Sequence, residues 1–136
     1  MPFLYWSEQY SVGIAIFDAE HKRLFTLAND LYDAIVSGRV DETLHSFFNG
    51  LIKYSNQHFD HEEEYFQLAL YPAGEAHRQY HDWLRKQILQ FQSRLTDTPK
   101  DILAIELAKF LKDWVYNHIL KDDVAYGRFL NDKGIH

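Results

Sequence analysis

The chain has 136 residues, 46% of them hydrophobic and 25% charged, which fits one globular domain with a core of its own. Its net charge of -6 argues against nucleic acid as a partner. Because the sequence contains no cysteine, disulfides, thiolate zinc sites and iron–sulfur clusters are excluded, and any metal ligands must be nitrogen or oxygen atoms.

Residues 1–17 form a predicted irregular arm that is rich in aromatic side chains. The arm lacks the cationic start and the long apolar stretch of a signal peptide. No apolar run in the sequence is long enough to span a bilayer. We therefore expect a cytoplasmic protein that does not insert into a membrane.

Two amphipathic helices are predicted in the first half of the chain, because apolar residues recur there at helical spacing. The first helix covers residues 18–37, with Asp18 as its N-terminal cap and Gly38 as its stop. The second helix covers residues 41–68, with Asp41 as its cap, and the chain then breaks at residues 71–74.

Two further helices are predicted at residues 74–95 and 99–121, followed by a short C-terminal segment. Thr98 is the expected cap of the last helix, and Pro99 its first helical residue. The sequence has no sustained strand-like alternation. It therefore predicts a single all-α domain over residues 1–136, an antiparallel up-down-up-down four-helix bundle with an irregular N-terminal arm.

Histidines continue the apolar stripe of each predicted helix. Three of them open pairs about four residues apart, a spacing that returns both side chains to one helix face. The pairs are His58 with Glu62, His77 with His81, and His118 with Asp122 or Asp123, while His21 lies on the first helix. In an up-down bundle all these positions fall at the same end, so we expect one buried cluster there.

A metal site explains this cluster better than an ordinary core does, because polar side chains are costly to bury unless they are bound. Two octahedral ions together have roughly twelve coordination positions. The cluster would fill about eleven of them, with five imidazole nitrogens, four oxygens of two bridging carboxylates, and a bridging oxide or hydroxide that contacts both ions. The count predicts two ions with one open position. Iron, manganese, zinc and copper all accept such ligands.

The carboxylate partner of His118 is left open by the spacing. Four residues turn an α-helix through roughly 400° and five through roughly 500°, so helix pitch alone favours Asp122 over Asp123. The remaining histidines, His45, His61 and His136, are expected at the surface.

Five motifs combine in one order along the chain: Asp18-Ala19-Glu20-His21-Lys22, His58-Phe59-x-x-Glu62-Glu63, Tyr71-Pro72, His77-x-x-x-His81 and His118-Ile119-x-x-x-Asp123-x-x-Tyr126. Together with Trp6 and Ser11-Val12-Gly13-Ile14 in the arm, this pattern resembles the bacterial single-domain members of the hemerythrin family over nearly the whole chain. The sequence departs from that family at Glu20, where glutamine is common, and at Phe66, where methionine is frequent.

The resemblance implies a non-haem di-iron centre with an oxo or hydroxo bridge. One iron would be held by His77, His81 and His118 and the other by His21 and His58, with Glu62 and Asp123 bridging the two. The bridging position of Asp123, five residues after His118, predicts a distorted or ending helix there. The implied function is reversible dioxygen binding at the two-histidine iron for oxygen storage, transport or delivery, with an oxygen-consuming enzyme as recipient.

Such a centre needs a dry pocket, because water or anions at the open position would promote oxidation of the irons. Five apolar residues within a turn of the ligands are predicted to form the wall of this oxygen pocket: Leu24, Phe59, Trp114, Val115 and Ile119.

Two other functions compete with oxygen binding: a di-iron oxidase, ferroxidase or peroxidase, and an oxygen or iron sensor module. Ferritin-like di-iron proteins use carboxylate-rich sites with Glu-x-x-His pairs, whereas none of the candidate ligand pairs has this form and histidine outnumbers carboxylate. The nitrogen-rich set favours a binding protein over an enzyme. A sensor would need a separate partner to receive its signal.

Overall fold

Four long helical segments build the protein in the computed structural model, which describes residues 3–136. They are α1 (Ala15–Val36), α2 (Val40–Ala69), α3 (Gly74–Ser93) and α4 (Lys100–Trp114). A π-helical segment (Val115–Asp123) continues α4 and leads into α5 (Val124–Asp132). Short 3-10 turns lie at Glu8–Tyr10 and Arg94–Thr96. No strand occurs within residues 3–136, so the predicted all-α class is confirmed.

The helices pack with α1 against α2 and α4, and with α2 against α3. Leu44, Phe48 and Leu51 of α2 are fully buried, and their spacing of three or four residues puts them on one face. Within the described part of the chain, no helix combines the length and apolarity needed to cross a membrane.

Two apolar clusters enclose the end of the bundle that carries the histidines. The larger fills the bundle interior and includes Phe59 and Trp114. The smaller joins the arm to the C-terminal helix and includes Phe17, Phe66 and Tyr126. Because aromatic rings of both clusters lie against ligand histidines, the candidate site is sealed from both sides.

The predicted cap of the first helix is wrong. Helix α1 begins at Ala15, which leaves Asp18 inside its first turn. The Asp18 carboxylate instead accepts hydrogen bonds from the backbone N–H of Val12, at 2.8 Å, and from the Ser11 hydroxyl, at 2.6 Å. Asp18 therefore fastens the arm to the bundle.

Two other predicted caps are displaced by one or two residues. Asp41 lies in the first turn of α2, which begins at Val40. Pro99, rather than Thr98, is the residue that precedes α4. An acidic side chain is favourable both as a cap and within the first turn, so sequence pattern alone does not separate the two positions.

The end of α1 agrees with its predicted glycine stop. Gly38 has φ 68°, and the N–H of Arg39 reaches back to the carbonyl of Ala34 at 2.9 Å. This left-handed turn is the common way to end a helix at glycine.

The N-terminal arm is packed rather than loose over its described residues; Met1 and Pro2 lie outside them. The side chain of Asn29 in α1 brackets Leu4, with its Oδ1 accepting from the Leu4 N–H and its Nδ2 donating to the Leu4 carbonyl. Trp6 and Tyr10 pack edge-on or tilted around Phe25. The arm thus packs on α1 and adds Leu4 and Tyr10 to the larger apolar cluster.

Gly127 allows α5 to approach the arm closely, and replacing it should destabilise the protein. A Cβ at this position would lie 1.9 Å from the carbonyl oxygen of Val12, a backbone atom. We expect Gly127→Ala to lower the free energy of unfolding by roughly 1–3 kcal/mol through overpacking, measured by denaturant titration.

Gly50→Ala is the matched control, because Gly50 lies within α2 and, apart from its chain neighbours and the nearby backbone of α2 itself, no atom lies within 4 Å of its added Cβ. Alanine there should raise stability by up to about 1 kcal/mol through helix propensity. Equal stabilisation by both substitutions would contradict the close approach at Gly127.

Candidate metal centre

The structure brings all seven predicted ligand residues into one buried cluster, in which none is more than 6% exposed. Helices α1, α2 and α3 and the π-helical segment that continues α4 all contribute to it. The contributions are His21 from α1, His58 and Glu62 from α2, His77 and His81 from α3, and His118 and Asp123 from the π-helical segment.

The ligand atoms divide into two groups that share their carboxylates. One group contains His77, His81 and His118, and the other contains His21 and His58; Glu62 and Asp123 belong to both. Within each group the atoms lie within 4.8 Å of one another. The structure therefore offers two adjacent metal positions, which we call the three-histidine and the two-histidine position.

Glu62 divides its oxygens between the two positions. Its Oε2 lies 3.2 Å from His58 Nε2 and 3.3 Å from His21 Nε2, both at the two-histidine position. Its Oε1 lies 3.1 Å from His81 Nε2 at the three-histidine position. This is the geometry of a bridging carboxylate.

Asp123 divides its oxygens in the same way. Its Oδ1 lies 2.8 Å from His77 Nε2 and 3.1 Å from His118 Nε2, while its Oδ2 lies 3.2 Å from His21 Nε2. Two carboxylates thus span the two positions side by side.

The π-helical segment explains how Asp123 reaches the cluster. A π-turn closes with i→i+5 spacing, so His118 and Asp123 return to one face although an α-helix would separate them. The predicted helix distortion between these residues is confirmed. Asp122 is half exposed and its Oδ2 lies 3.4 Å from His118 Nδ1, so it approaches His118 from the opposite side.

Acidic side chains also support the outer nitrogens of two histidines. His58 Nδ1 donates to Glu20 Oε1 at 2.6 Å, and His81 Nδ1 donates to Glu63 Oε2 at 2.8 Å. A carboxylate on the far nitrogen fixes the imidazole orientation and makes Nε2 a better metal ligand. Glu20 also accepts from His61 Nδ1 at 2.7 Å, so one carboxylate ties together two histidines of α2.

A buried tyrosine contacts one of the two shared carboxylates. The Tyr126 hydroxyl donates a hydrogen bond to Glu62 Oε2, and the Tyr126 ring stacks on His77. Tyr126 is fully buried. It therefore holds Glu62 in place from the side of the smaller apolar cluster.

Sequence reasoning missed the roles of Glu20, Glu63, Asp122 and Tyr126, although each lies within three residues of a ligand. The adjacency of the three acids to ligands in the sequence was the available signal. Which of them reaches a histidine Nδ1 depends on how neighbouring helices pack, and the sequence pattern does not specify that packing.

The facing atoms of the cluster lack hydrogen-bond partners among the described residues. They are the Nε2 atoms of His21, His77, His81 and His118, Glu62 Oε1 and both carboxylate oxygens of Asp123. They approach one another at about 3 Å without hydrogen-bond geometry, and buried polar groups are rarely left so. An imidazole and carboxylate set of this composition fits a pair of first-row metal ions.

The charges of the metal-free cluster shift its pKa values in opposite directions. Burial alone would lower the pKa of His21, but the carboxylates of Asp123 and Glu62 raise it to about 10. Burial likewise opposes the carboxylates that raise the pKa of His118 to about 9. Burial disfavours ionisation of Glu62, yet the facing histidines hold its pKa well below the usual range.

These shifts predict that the metal-free protein is most stable in mildly acidic solution. A histidine whose pKa is raised on folding stabilises the folded state fully at any pH below its pKa in the unfolded chain, 6.5. This stabilisation is lost as the pH rises through the pKa of the histidine in the folded protein. For His21 the difference between 6.5 and about 10 corresponds to roughly 5 kcal/mol. Stability should also fall in acid below about pH 4, where the Glu62 and Asp123 carboxylates take up protons.

Denaturant unfolding of metal-free protein between pH 6 and pH 10 tests this prediction. The metal-loaded protein is the control, because bound metal takes the place of those protons and should remove the alkaline loss. A metal-free protein equally stable at pH 6 and pH 9.5 would contradict the assigned charges.

The predicted pocket residues Leu24, Phe59, Trp114, Val115 and Ile119 all lie in the larger apolar cluster and are at most 2% exposed. Phe59 stacks on His81 with ring centroids 4.1 Å apart, so it lies beside the three-histidine position. The structure thus places an apolar wall on the interior side of the cluster. His45, His61 and His136 lie outside it and are exposed, as expected.

Comparisons with known proteins agree with this geometry. A family model described as the Hemerythrin HHE cation binding domain matches residues 12–130. A bacteriohemerythrin of Stenotrophomonas maltophilia is 32% identical over 129 residues, which cover 93% of this chain and 80% of that protein. A bacteriohemerythrin of Methylococcus capsulatus is 28% identical over 132 residues, covering 96% and 99% respectively.

Solved structures share the fold. A crystal structure of wild-type hemerythrin matches with a TM-score of 0.82 at 27% identity, covering 94% of this chain and 98% of that chain. A crystal structure of a hemerythrin point mutant matches with a TM-score of 0.83 at 28% identity, covering 96% and 98% respectively. These likenesses confirm the predicted four-helix bundle.

Proposed function

Because the chain belongs to the hemerythrin family, whose members bind oxygen and are not enzymes, we propose that it binds dioxygen reversibly at a non-haem di-iron centre. The single observation that carries this proposal is the pair of shared carboxylates. Each of Glu62 and Asp123 turns one oxygen to the three-histidine group and the other to the two-histidine group.

The proposed ligand assignment follows from that division. His77, His81, His118 and one oxygen from each carboxylate would hold the first iron, and His21, His58 and the other two oxygens would hold the second. An oxo or hydroxo bridge would complete the pair. The second iron would then have fewer protein ligands than the first, which would leave a position there for a small ligand.

The iron pair, when bound, supplies the electrons and the coordination position for dioxygen. The protein residues do the rest. Tyr126 holds Glu62, Glu20 holds His58 and Glu63 holds His81, so the ligand atoms stay in place. Leu24 and Ile119, both fully buried, keep water from the centre.

Oxygen storage, transport or delivery is the role we propose, with an oxygen-consuming enzyme as the recipient in the case of delivery. The nitrogen-rich ligand set supports this role over oxygen cleavage, because the carboxylate-rich sites of ferritin-like enzymes are built differently. Sensing would use the same site and differ only in the partner that reads it.

Metal content and oxygen uptake test the proposal together. Protein reconstituted anaerobically with ferrous iron should hold two irons per chain and take up one dioxygen per iron pair. The dioxygen should be released when the oxygen pressure falls. Manganese or zinc held in preference to iron, or oxygen consumed continuously in the presence of a reductant, would overturn it.

A further inference from the structure

Two buried hydroxyl groups have no hydrogen-bond partner among the described residues: those of Tyr54 and Ser55. Ser55 borders a surface groove of about 110 Å³ between α2 and α3, next to Asn56 and Arg85. Tyr54 is 4% exposed and lies in the larger apolar cluster. A tyrosine is usually buried so deeply only when its hydroxyl finds a partner.

The Tyr54 ring lies against one of the two histidines of the two-histidine position. Tyr54 precedes His58 by one turn of α2, and the two rings stack with centroids 5.5 Å apart and planes 11° apart. Tyr54 belongs to the larger apolar cluster, which lies on the interior side of the metal centre. That side also carries Leu24 and Ile119 of the predicted oxygen pocket.

The hydroxyl of a tyrosine carries one O–H donor. Tyr54 is therefore a buried hydrogen-bond donor beside the two-histidine position, with no acceptor among the described residues.

We propose that the Tyr54 hydroxyl donates a hydrogen bond to the small ligand that occupies the open position beside His21 and His58. The acceptor is a ligand of two or three atoms that carries negative charge when bound. This class includes azide, and also dioxygen that has drawn electrons from the metal pair. This inference rests on the proposed di-iron centre. It adds a residue that positions the ligand and slows its release.

Azide binding to the oxidised, iron-loaded protein tests the inference with Tyr54→Phe, which keeps the ring and removes only the hydroxyl. Loss of a hydrogen bond to a charged acceptor should weaken azide binding about 10- to 100-fold. Dioxygen should leave the variant faster by a similar factor. In the unsubstituted protein the vibrational band of bound azide should shift in D₂O, and in Tyr54→Phe this shift should be absent.

Tyr80→Phe is the matched control. The Tyr80 ring stacks on another ligand histidine, His118, with centroids 4.6 Å and planes 17° apart, but it lies at the three-histidine position and is only half-buried. Its azide affinity and D₂O shift should equal those of the unsubstituted protein, and iron content is measured in every variant.

Three results would overturn the inference: unchanged azide affinity in Tyr54→Phe, a D₂O shift that persists in that variant, or equal weakening in Tyr80→Phe. Each leaves the proposed function intact if the unsubstituted protein still holds two irons and binds azide. Failure of the unsubstituted protein to hold an iron pair would refute the proposed function, and this inference with it.

Discussion

Asp123→Ala should abolish assembly of the iron pair. Asp123 offers one oxygen to each metal position and is 1% exposed, so its loss removes a ligand from both irons at once. The methyl group that replaces it leaves His77 and His118 without their facing carboxylate. We expect the iron content after anaerobic reconstitution and desalting to fall from two per chain to one or none.

Asp122→Ala is the control for this experiment, because it removes the neighbouring carboxylate from the same π-helical segment. Asp122 contacts only the outer nitrogen of His118 and is half exposed. The Asp122→Ala variant should keep both irons. Its metal affinity should fall about 10-fold at most, which is the lower end of the range for losing a residue that hydrogen-bonds a metal ligand. If Asp122→Ala loses the irons and Asp123→Ala keeps them, the ligand assignment is wrong.

Leu24→Thr should make the oxygen-bound protein oxidise irreversibly much faster. Leu24 is fully buried, lies one turn after His21 and belongs to the apolar wall. Threonine is smaller than leucine, so it leaves space beside the two-histidine position. Its hydroxyl can hydrogen-bond a water molecule in that space. We expect the decay of the oxygen-bound form in air, followed by absorbance, to be roughly 10-fold faster, since the apolar shell controls solvent access.

Leu31→Thr controls for the loss of stability that the same change causes elsewhere in the core. Leu31 lies on the same face of α1, two turns further from His21, and is 2% exposed. Both variants should unfold at lower denaturant concentration, but only Leu24→Thr should oxidise faster. Similar decay rates in the two variants would assign the effect to general loosening of the bundle.

The fold was predictable because its apolar residues follow helical spacing over four long stretches. Leu44, Phe48 and Leu51 illustrate this, since each lies where the stripe of α2 predicted and each is fully buried. The helix starts were less predictable. Asp18 has the chemistry of a cap, but its carboxylate is bound by Val12 and Ser11 of the arm, a contact between segments that local pattern does not contain.

The candidate ligands were predictable as a set because seven polar residues continued four apolar stripes at one end of the bundle. The last of them was not settled by spacing. Regular helix pitch favoured Asp122, and only the π-helical segment turns Asp123 inward. Residues behind the ligands, such as Glu20 on His58, depend on the packing of α1 against α2 and are seen only in the assembled structure.

An optical oxygenation cycle tests the central claim most directly. Iron-loaded, reduced protein should be nearly colourless without oxygen, gain a visible charge-transfer band in air and lose that band under vacuum, over several cycles without loss of amplitude. A band that bleaches irreversibly in the first cycle, or that decays while an added reductant is consumed, would contradict reversible binding and favour a di-iron enzyme.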